Sequence, residues 1–257
     1  MKLDRRYVEK PWGRTHLPPM FKAPEGERIG EVWFTNGADL PLLAKYIFTS
    51  ERLSIQVHPS DEQAHARGLP QGKSECWTIL EAEASATIGL GTKRELSPDE
   101  LRQAALDGSI EELMDWRVVR AGDFYFVPAG TVHAIGGGIA LLEFQQNADV
   151  TYRLYDYGRP RELHLEDGVA VANAQPYPSA LSQSLGGRLT ATLVDGPHFT
   201  LMHAHGDALR GRQRWVMPLS GRVRSGEDVG VAGECLLLGP DDELICEDAR
   251  LLIGAKT

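Results

Sequence analysis

Gln56 and His58, two residues apart in the run Leu53-Ser54-Ile55-Gln56-Val57-His58-Pro59, constrain this chain more than any other feature. On a strand, residues i and i+2 point to the same face. A strand here therefore aims an amide oxygen and an imidazole at one point. Glu75 follows in Gly72-Lys73-Ser74-Glu75-Cys76-Trp77, at the head of another apolar run. His133 closes Val127-Pro128-Ala129-Gly130-Thr131-Val132-His133. A single strand histidine is more often a buried or surface residue than a ligand, so the weight lies in the combination. Gln56, His58, Glu75 and His133 offer N and O donors that suit zinc, or a similar first-row metal, at a tetrahedral or slightly expanded site. One carboxylate and three neutral ligands leave a divalent ion net positive, which favours a Lewis-acid role over a structural one.

The spacing Gly122-x5-Pro128-x-Gly130-x2-His133 resembles the second motif of the cupins. Gln-x-His with a later Glu resembles their first motif, its leading His replaced by Gln. Pro128 and Gly130 end one strand and turn the chain, so that His133 enters the next strand facing a barrel interior.

The length of 257 residues allows one large or two small domains, and 42% apolar content supports a sizeable core. A net charge of −9 argues against nucleic acid as partner. It leaves room for a small anion if a local basic pocket exists. Met1-Lys2-Leu3-Asp4-Arg5-Arg6 carries no apolar region behind it, so no signal peptide is expected. The apolar stretches fall short of a membrane span. Cys76, Cys235 and Cys246 form no CxxC and are odd in number, which makes a reducing cytoplasm the simplest compartment. A monomer or a homodimer is expected, and no segment marks an interface.

Short strands separated by Gly, Pro and Asp dominate the pattern, which predicts a mainly β sandwich or jelly-roll barrel. Candidate strands are Gly30–Thr35, Leu42–Phe48, Leu53–His58, Glu75–Leu80, Ala84–Gly89, Phe124–Pro128, Ala140–Gln146 and Val150–Asp156. A short helical insertion begins at Ser97-Pro98-Asp99-Glu100, an N-cap serine with proline at N1 and glutamate at N3. Ser109 with Glu112 predicts the same device for a second helix ending near Trp116, the pair covering a sheet edge. Asp61, Glu62, His65 and Arg67 predict a helical turn over the site. The stretch Ala172–Gly187 reads as a connection. Beyond it, Arg188–Val194, Phe199–His205, Arg214–Leu219, Glu234–Leu238 and Leu251–Ile253 predict a smaller, degenerate cupin-like β-lobe. The expected division is a metal-binding domain over 1–171 and the degenerate lobe over 172–257. His203 and His205 share a strand face but lack a third and fourth ligand.

Lys10-Pro11-Trp12-Gly13, Gly30-Glu31-Val32-Trp33, the Leu53–Pro59 run, Gly72–Trp77, Val127–Ala134 and Gln145-Gln146-Asn147-Ala148-Asp149-Val150-Thr151-Tyr152-Arg153 together resemble the type I phosphomannose isomerases, in their short bacterial form. The resemblance runs nearly continuously from about residue 5 to about 165 and fades afterwards. It implies a zinc-dependent cupin enzyme that interconverts mannose 6-phosphate and fructose 6-phosphate. It also implies Gln56, His58, Glu75 and His133 as metal ligands, Lys73 and Arg153 as catalytic residues, and Ser54 and Lys45 as pocket residues near the sugar or its phosphate. Ser74 stands where longer relatives have proline, Ile135 and Gly136 follow His133 where they differ, and their large helical domain is absent.

Aldose–ketose isomerisation requires ring opening, removal of the C2 proton, an enediol-type intermediate and return of the proton at C1. The developing oxyanion calls for positive charge. Arg153 suits that role because arginine does not deprotonate readily. Lys73 suits proton transfer, and a metal-bound water is the competing base. On residues alone, Lys73 also reads as a solvated turn residue, Arg153 as a partner of Asp149 or Asp156, and Lys45 as a residue that snorkels from the sheet. Glu31, Trp12 and Trp33 read as packing and hydrogen-bonding elements at the barrel mouth. Another cupin metalloenzyme and a non-catalytic sugar-binding cupin are the remaining readings.

Overall fold

The computed structural model describes residues 1–37, 39–186 and 190–257. In chain order the strands begin β1 (Asp4–Arg14), β2 (Ile29–Thr35), β3 (Leu42–Phe48), β4 (Ile55–Val57), β5 (Glu75–Ala82) and β6 (Thr87–Thr92). They continue β7 (Met114–Val118), β8 (Asp123–Val127), β9 (His133–Ile135), β10 (Ile139–Gln146), β11 (Tyr152–Tyr155) and β12 (Ser182–Ser184). The C-terminal strands are β13 (Ala191–Asp195), β14 (Phe199–Ala204), β15 (Arg214–Ser225), β16 (Asp228–Val231), β17 (Leu236–Leu238) and β18 (Ile245–Lys256). Helices α1 (Asp61–His65), α2 (Pro98–Asp107), α3 (Ile110–Leu113) and α4 (Leu165–Val171) lie between them.

Three antiparallel sheets stack. The first has the order β1-β2-β3-β10-β5-β8-β12, the second β11-β4-β9-β6-β7, and the third β13-β14-β18-β15-β16, with β17 also paired to β15. The first two close into the cupin jelly roll. Strand β10, Ile-Ala-Leu-Leu-Glu-Phe-Gln-Gln, is buried along its whole length because both of its faces are covered. Leu141 packs inward with Ile47, Trp77, Ile79, Ile88 and Leu90 of the roll. Leu142 and Phe144 point the other way, into a core shared with Phe199, Trp215 and Leu252 of the third sheet. This two-sided burial explains why β3 and β10 read as continuous apolar runs. The third sheet approaches so closely that a Cβ at Gly254 would overlap the Phe144 ring, and Phe144 meets Phe199 edge-on with centroids 5.3 Å apart.

Alternation along the inner strands then fixes what faces the roll interior. Glu31 and Trp33 of β2, Lys45 of β3, Glu75 and Trp77 of β5, and Glu143 and Gln145 of β10 share one face. Pairing brings Glu143 opposite both Lys45 and Trp77, and Gln145 opposite Glu75.

Several expectations need correction. Ser97 caps α2 through a full capping box, but Ser109 makes no side-chain cap bond, its backbone already being helical. The second helix ends at Leu113, and Met114–Val118 is a strand, with Trp116 opposite Gly89. The helices cover a sheet face, not an edge: Leu101, Ala104 and Ala105 pack with Ile55, Val57, Ala134 and Leu154. The connection after residue 171 adds β12 to the first sheet beside β8. Strand β1 and helix α4 had no sequence signal in the pattern above. Of the expected strand Arg188–Val194, the first two residues lie outside the described ones. Among the described residues, no helix is long and apolar enough to cross a membrane.

Candidate metal centre and substrate pocket

Strand pairing assembles the centre. Gln56 on β4 lies opposite His133 at the start of β9 and opposite Arg153 on β11. His58 follows β4, and the Gly130 N–H donates to the His58 carbonyl at 2.8 Å. Gly130 sits at φ +85°, a left-handed position that glycine takes at no steric cost. The Thr131 N–H closes the turn onto the Pro128 carbonyl at 3.1 Å. The Pro-x-Gly-x2-His spacing therefore works as expected, turning His133 inward and tying its turn to His58.

His58, Glu75 and His133 are fully buried, and their donor atoms lie within 4.8 Å of one another. His58 Nε2 is 3.4 Å from Glu75 Oε2, and His133 Nε2 is 3.4 Å from Glu75 Oε1. His58 Nδ1 lies 2.8 Å from the Val150 carbonyl, and His133 Nδ1 lies 2.8 Å from the Thr131 carbonyl. A carbonyl only accepts, so each Nδ1 carries the proton and each Nε2 turns a lone pair toward the centre. Burial, with Lys73 adding to it, lowers the His58 imidazole to about 3. Burial also lowers His133. Burial alone would raise the Glu75 carboxyl, but Lys73 and then His58 outweigh it and hold it well below the usual range. Two neutral imidazoles and a carboxylate thus converge, which is a donor set for a divalent cation.

Further charged groups surround it. Glu31, Glu75 and Glu143 are buried with two buried ammoniums, Lys45 and Lys73. Lys73 Nζ is 2.6 Å from Glu75 Oε2, 3.0 Å from His58 Nε2 and 4.0 Å from Glu143 Oε1. Lys45 Nζ is 2.9 Å from Glu143 Oε1 and 3.7 Å from Glu31 Oε1. Lys10 Nζ, 3.7 Å from Glu31 Oε2, brings a third ammonium to the three carboxylates. Burial and the like charge of Glu75 push the Glu143 carboxyl up against the pull of Lys45 and Lys73. Burial alone would lower Lys45, but Glu143 and Glu31 outweigh it and hold it above its ordinary range.

A cavity of about 270 Å³ opens above this floor, lined among others by Lys10, Glu31, Lys45, Ser54, Gln56, Lys73, Glu143, Gln145, Asp149, Arg153 and Arg161. Its lining cations outnumber its carboxylates although the whole chain carries a net −9. A larger cleft of about 420 Å³, lined by Phe21, Tyr46, Phe48 and Leu185 among others, holds no cluster of metal-ligating groups among the described residues.

Relatives and solved structures agree with this architecture. The chain is 38% identical to mannose-6-phosphate isomerase ManA of Bacillus subtilis over 231 residues, 80% of this chain and 73% of that protein. It is 42% identical to a mannose-6-phosphate isomerase of Streptococcus mutans over 173 residues, 63% of this chain and 53% of that protein, about half its length. The chain belongs to the mannose-6-phosphate isomerase family. The crystal structure of the Bacillus subtilis mannose 6-phosphate isomerase superposes with a TM-score of 0.81 at 26% identity, covering 98% of both chains. A variant of the phosphomannose isomerase of Salmonella typhimurium superposes at 0.71 and 16% identity over 100% of this chain and 99% of that one, a likeness of fold. No family model matches the chain.

The family frame leaves each expected residue to be located. Gln56 lies beside the group, its Nε2 3.3 Å from His133 Nε2 and its Oε1 accepting from Ser54 Oγ at 3.1 Å. A half-turn of the amide exchanges oxygen and nitrogen without moving the side chain. Ser54 and Lys73 line the cavity, and Lys73 is buried rather than solvated. Lys45 lines it too, yet does not snorkel: it is locked between two carboxylates. Arg153 does not pair with Asp149 or Asp156. Its Nη1 donates to the Glu162 carbonyl at 2.5 Å, and its Nε is buried without a partner. Asp156 is taken by Arg159 (2.5 Å) and Arg161 (2.6 Å). His65 bonds the Pro70 carbonyl at 2.9 Å, away from the centre. Among the described residues, His203 and His205 are part of no metal-ligating group.

Sequence reading passed over Glu143, Gln145 and Arg161. Glu143 was detectable as the lone charge in the apolar run Ile139–Phe144, where an unmatched carboxylate demands a buried partner. Gln145 is 1% exposed, and its Oε1 has no hydrogen-bond partner. Arg161 carried no local signal, since only the fold returns the 156–162 segment to the cavity rim.

Proposed function

We propose that this chain interconverts mannose 6-phosphate and fructose 6-phosphate, with His58, Glu75, His133 and the rotated amide of Gln56 holding a zinc ion. One observation carries this reading: a converging imidazole–carboxylate set lies against Gln56 and Lys73, which line a pocket rich in lysine and arginine in an otherwise acidic protein of this family. A zinc ion held there supplies Lewis-acid polarisation of the sugar oxygens beside the reacting carbons. The remaining tasks fall to side chains. Lys73 and Glu143, 4.0 Å apart, handle the proton that moves between C2 and C1. Glu143, pushed up by burial and by Glu75, holds a proton more readily than an ordinary carboxylate. Arg153 brings a fixed positive charge and a free Nε–H to the oxyanion of the enediol-type intermediate. Ser54, Lys45 and the unpartnered Gln145 Oε1 border the sugar hydroxyls.

The phosphate sits toward Arg153, Arg161 and Lys10. Lys45 is already matched by Glu143 and Glu31, so it has little charge to offer an anion. Asp156 keeps the Arg161 guanidinium fixed in a two-bond grip at 2.6 and 2.8 Å. Lys10 has only a 3.7 Å contact to Glu31.

Turnover of mannose 6-phosphate, followed as fructose 6-phosphate, tests this reading on metal-loaded and chelator-stripped protein side by side. Metal-dependent turnover is expected. Its absence in folded, zinc-loaded protein would move the reading to a different sugar or to a non-catalytic cupin.

A further inference from the structure

Lys73 carries its charge on a segment with no regular structure, between α1 and β5. What holds that segment is a closed ring of bonds outside the pocket. The Lys73 N–H donates to the Pro59 carbonyl at 3.0 Å. On one side, the Gly72 N–H donates to Asp61 Oδ1 at 2.7 Å. On the other, the Ser74 N–H donates to Gln146 Oε1 at 2.9 Å, and the Gln146 N–H returns to the Ser74 carbonyl at 3.1 Å. Gln146 Nε2 then donates to the same Asp61 Oδ1 at 2.9 Å, closing the ring. Gly72 lies so close to the chain it crosses that a Cβ there would overlap the Pro59–Asp61 backbone. The second carboxylate oxygen of Asp61 faces the third sheet, where His198 Nδ1 lies 3.4 Å from Oδ2. His198 belongs to the turn between β13 and β14.

We propose that Asp61 is a positioning residue for Lys73, and that the C-terminal sheet acts on the active site through the His198–Asp61 contact. This rests on the isomerase reading above. Both backbone neighbours of Lys73 are pinned by side chains that are bonded to each other through Asp61. Removing that carboxylate frees the Gly72 N–H and one Gln146 N–H together, while the metal donors keep their own bonds to Val150 and Thr131. The consequence is a misplaced ammonium with the metal centre intact. Displacements of about 1 Å are enough to cost a reacting group up to about a hundredfold in rate. The C-terminal lobe thereby acquires a task beyond covering the outer face of the first sheet: its β13–β14 turn buttresses the residue that holds the lysine loop.

The test compares Asp61→Ala, Asp61→Asn and His198→Ala in the full chain at equal metal content. Asp61→Ala is expected to lower kcat roughly tenfold or more, with KM within about twofold and bound metal unchanged. Asp61→Asn keeps an acceptor for Gly72 and Gln146, so it is expected to recover kcat to within about threefold of the parent. His198→Ala is expected to fall between them. Hydrogen–deuterium exchange of the 70–75 segment gives a second readout that needs no turnover: exchange at Gly72 accelerates in Asp61→Ala and not in Asp61→Asn. Unchanged kcat and unchanged exchange in Asp61→Ala overturn the proposal, as does an Asp61→Asn variant as impaired as Asp61→Ala. If the parent shows no isomerase turnover, the isomerase reading fails alone. The exchange comparison then still decides whether Asp61 clamps the loop.

Discussion

Replacing Lys45 with methionine removes the ammonium from a buried ion pair of the pocket. Lys45 and Glu143 are 2.9 Å apart, with side chains 7% and 3% exposed. The loss concentrates on one carboxylate. Glu31 keeps the Trp33 N–H at 2.7 Å and Lys10 at 3.7 Å. Glu143 keeps only the Trp77 N–H at 2.9 Å and Lys73 at 4.0 Å, and Lys73 is already drawn to Glu75 at 2.6 Å. The cost is bounded by what it takes to neutralise Glu143 in the folded protein. At about 1.4 kcal/mol per pH unit, protonating a carboxyl of ordinary value about 4.3 at pH 7 costs about 3.7 kcal/mol. That agrees with the roughly 3–5 kcal/mol lost when one partner of a buried pair is removed. Urea unfolding of Lys45→Met at pH 7, at matched metal content, is therefore expected to show a loss of about 3–4 kcal/mol. Lys45→Met combined with Glu143→Gln removes the orphaned charge and is expected to return to within about 1 kcal/mol of the parent. The pH dependence has a definite sign. With Lys45 gone, the folded value of Glu143 lies above its unfolded value, so its contribution is present at low pH and lost as pH rises through the raised value. The deficit of the single variant is thus largest near neutrality and closes toward pH 5. A single variant within about 1 kcal/mol of the parent at pH 7, or a double variant worse than the single one, would refute the reasoning.

Glu75→Ala removes the only carboxylate of the donor set, so bound metal measured by elemental analysis and isomerase turnover are expected to vanish together. Arg153→Ala keeps Gln56, His58, Glu75 and His133; metal content is expected to hold while kcat falls about a hundredfold or more, and an unchanged kcat would remove Arg153 from the chemistry. His58 and His133 are buried neutral, with folded values depressed below the unfolded one of about 6.5. Stability of the chelator-stripped protein is therefore intact above about pH 6.5 and is lost as pH falls toward the depressed values, by up to about 1.4 kcal/mol per pH unit for each imidazole. Denaturation midpoints measured from pH 7 to pH 4 check this. Arg161→Gln is expected to raise KM for mannose 6-phosphate roughly tenfold while leaving bound metal unchanged, and steady-state kinetics with parallel metal analysis checks both.

How much of this was legible in the sequence follows the range of each interaction. Strand alternation is local, so Gln56 and His58 announced a shared face before any fold was known. The Pro128-x-Gly130-x2-His133 turn is likewise local, and so is the Ser97 capping box, because each depends on residues within a few positions. Ser109 shows the limit: the same pattern fails to cap because the chain enters α3 with a backbone that is already helical. Pairing across sheets is not local. Lys45 reads as a cation free to meet phosphate until β10 sets Glu143 opposite it. Arg153 reads as a partner for Asp156 until the 156–162 segment folds back and two other arginines take that carboxylate. The donor types at the centre and the jelly-roll strands that carry them were determined by the sequence itself, through periodicity and turn chemistry. Which charges are matched, which are left to act on a substrate, and how the C-terminal sheet reaches Asp61 were decided only by tertiary structure. Those outcomes depend on distances between residues up to 137 positions apart in the chain, as His198 is from Asp61, and no local pattern encodes such distances.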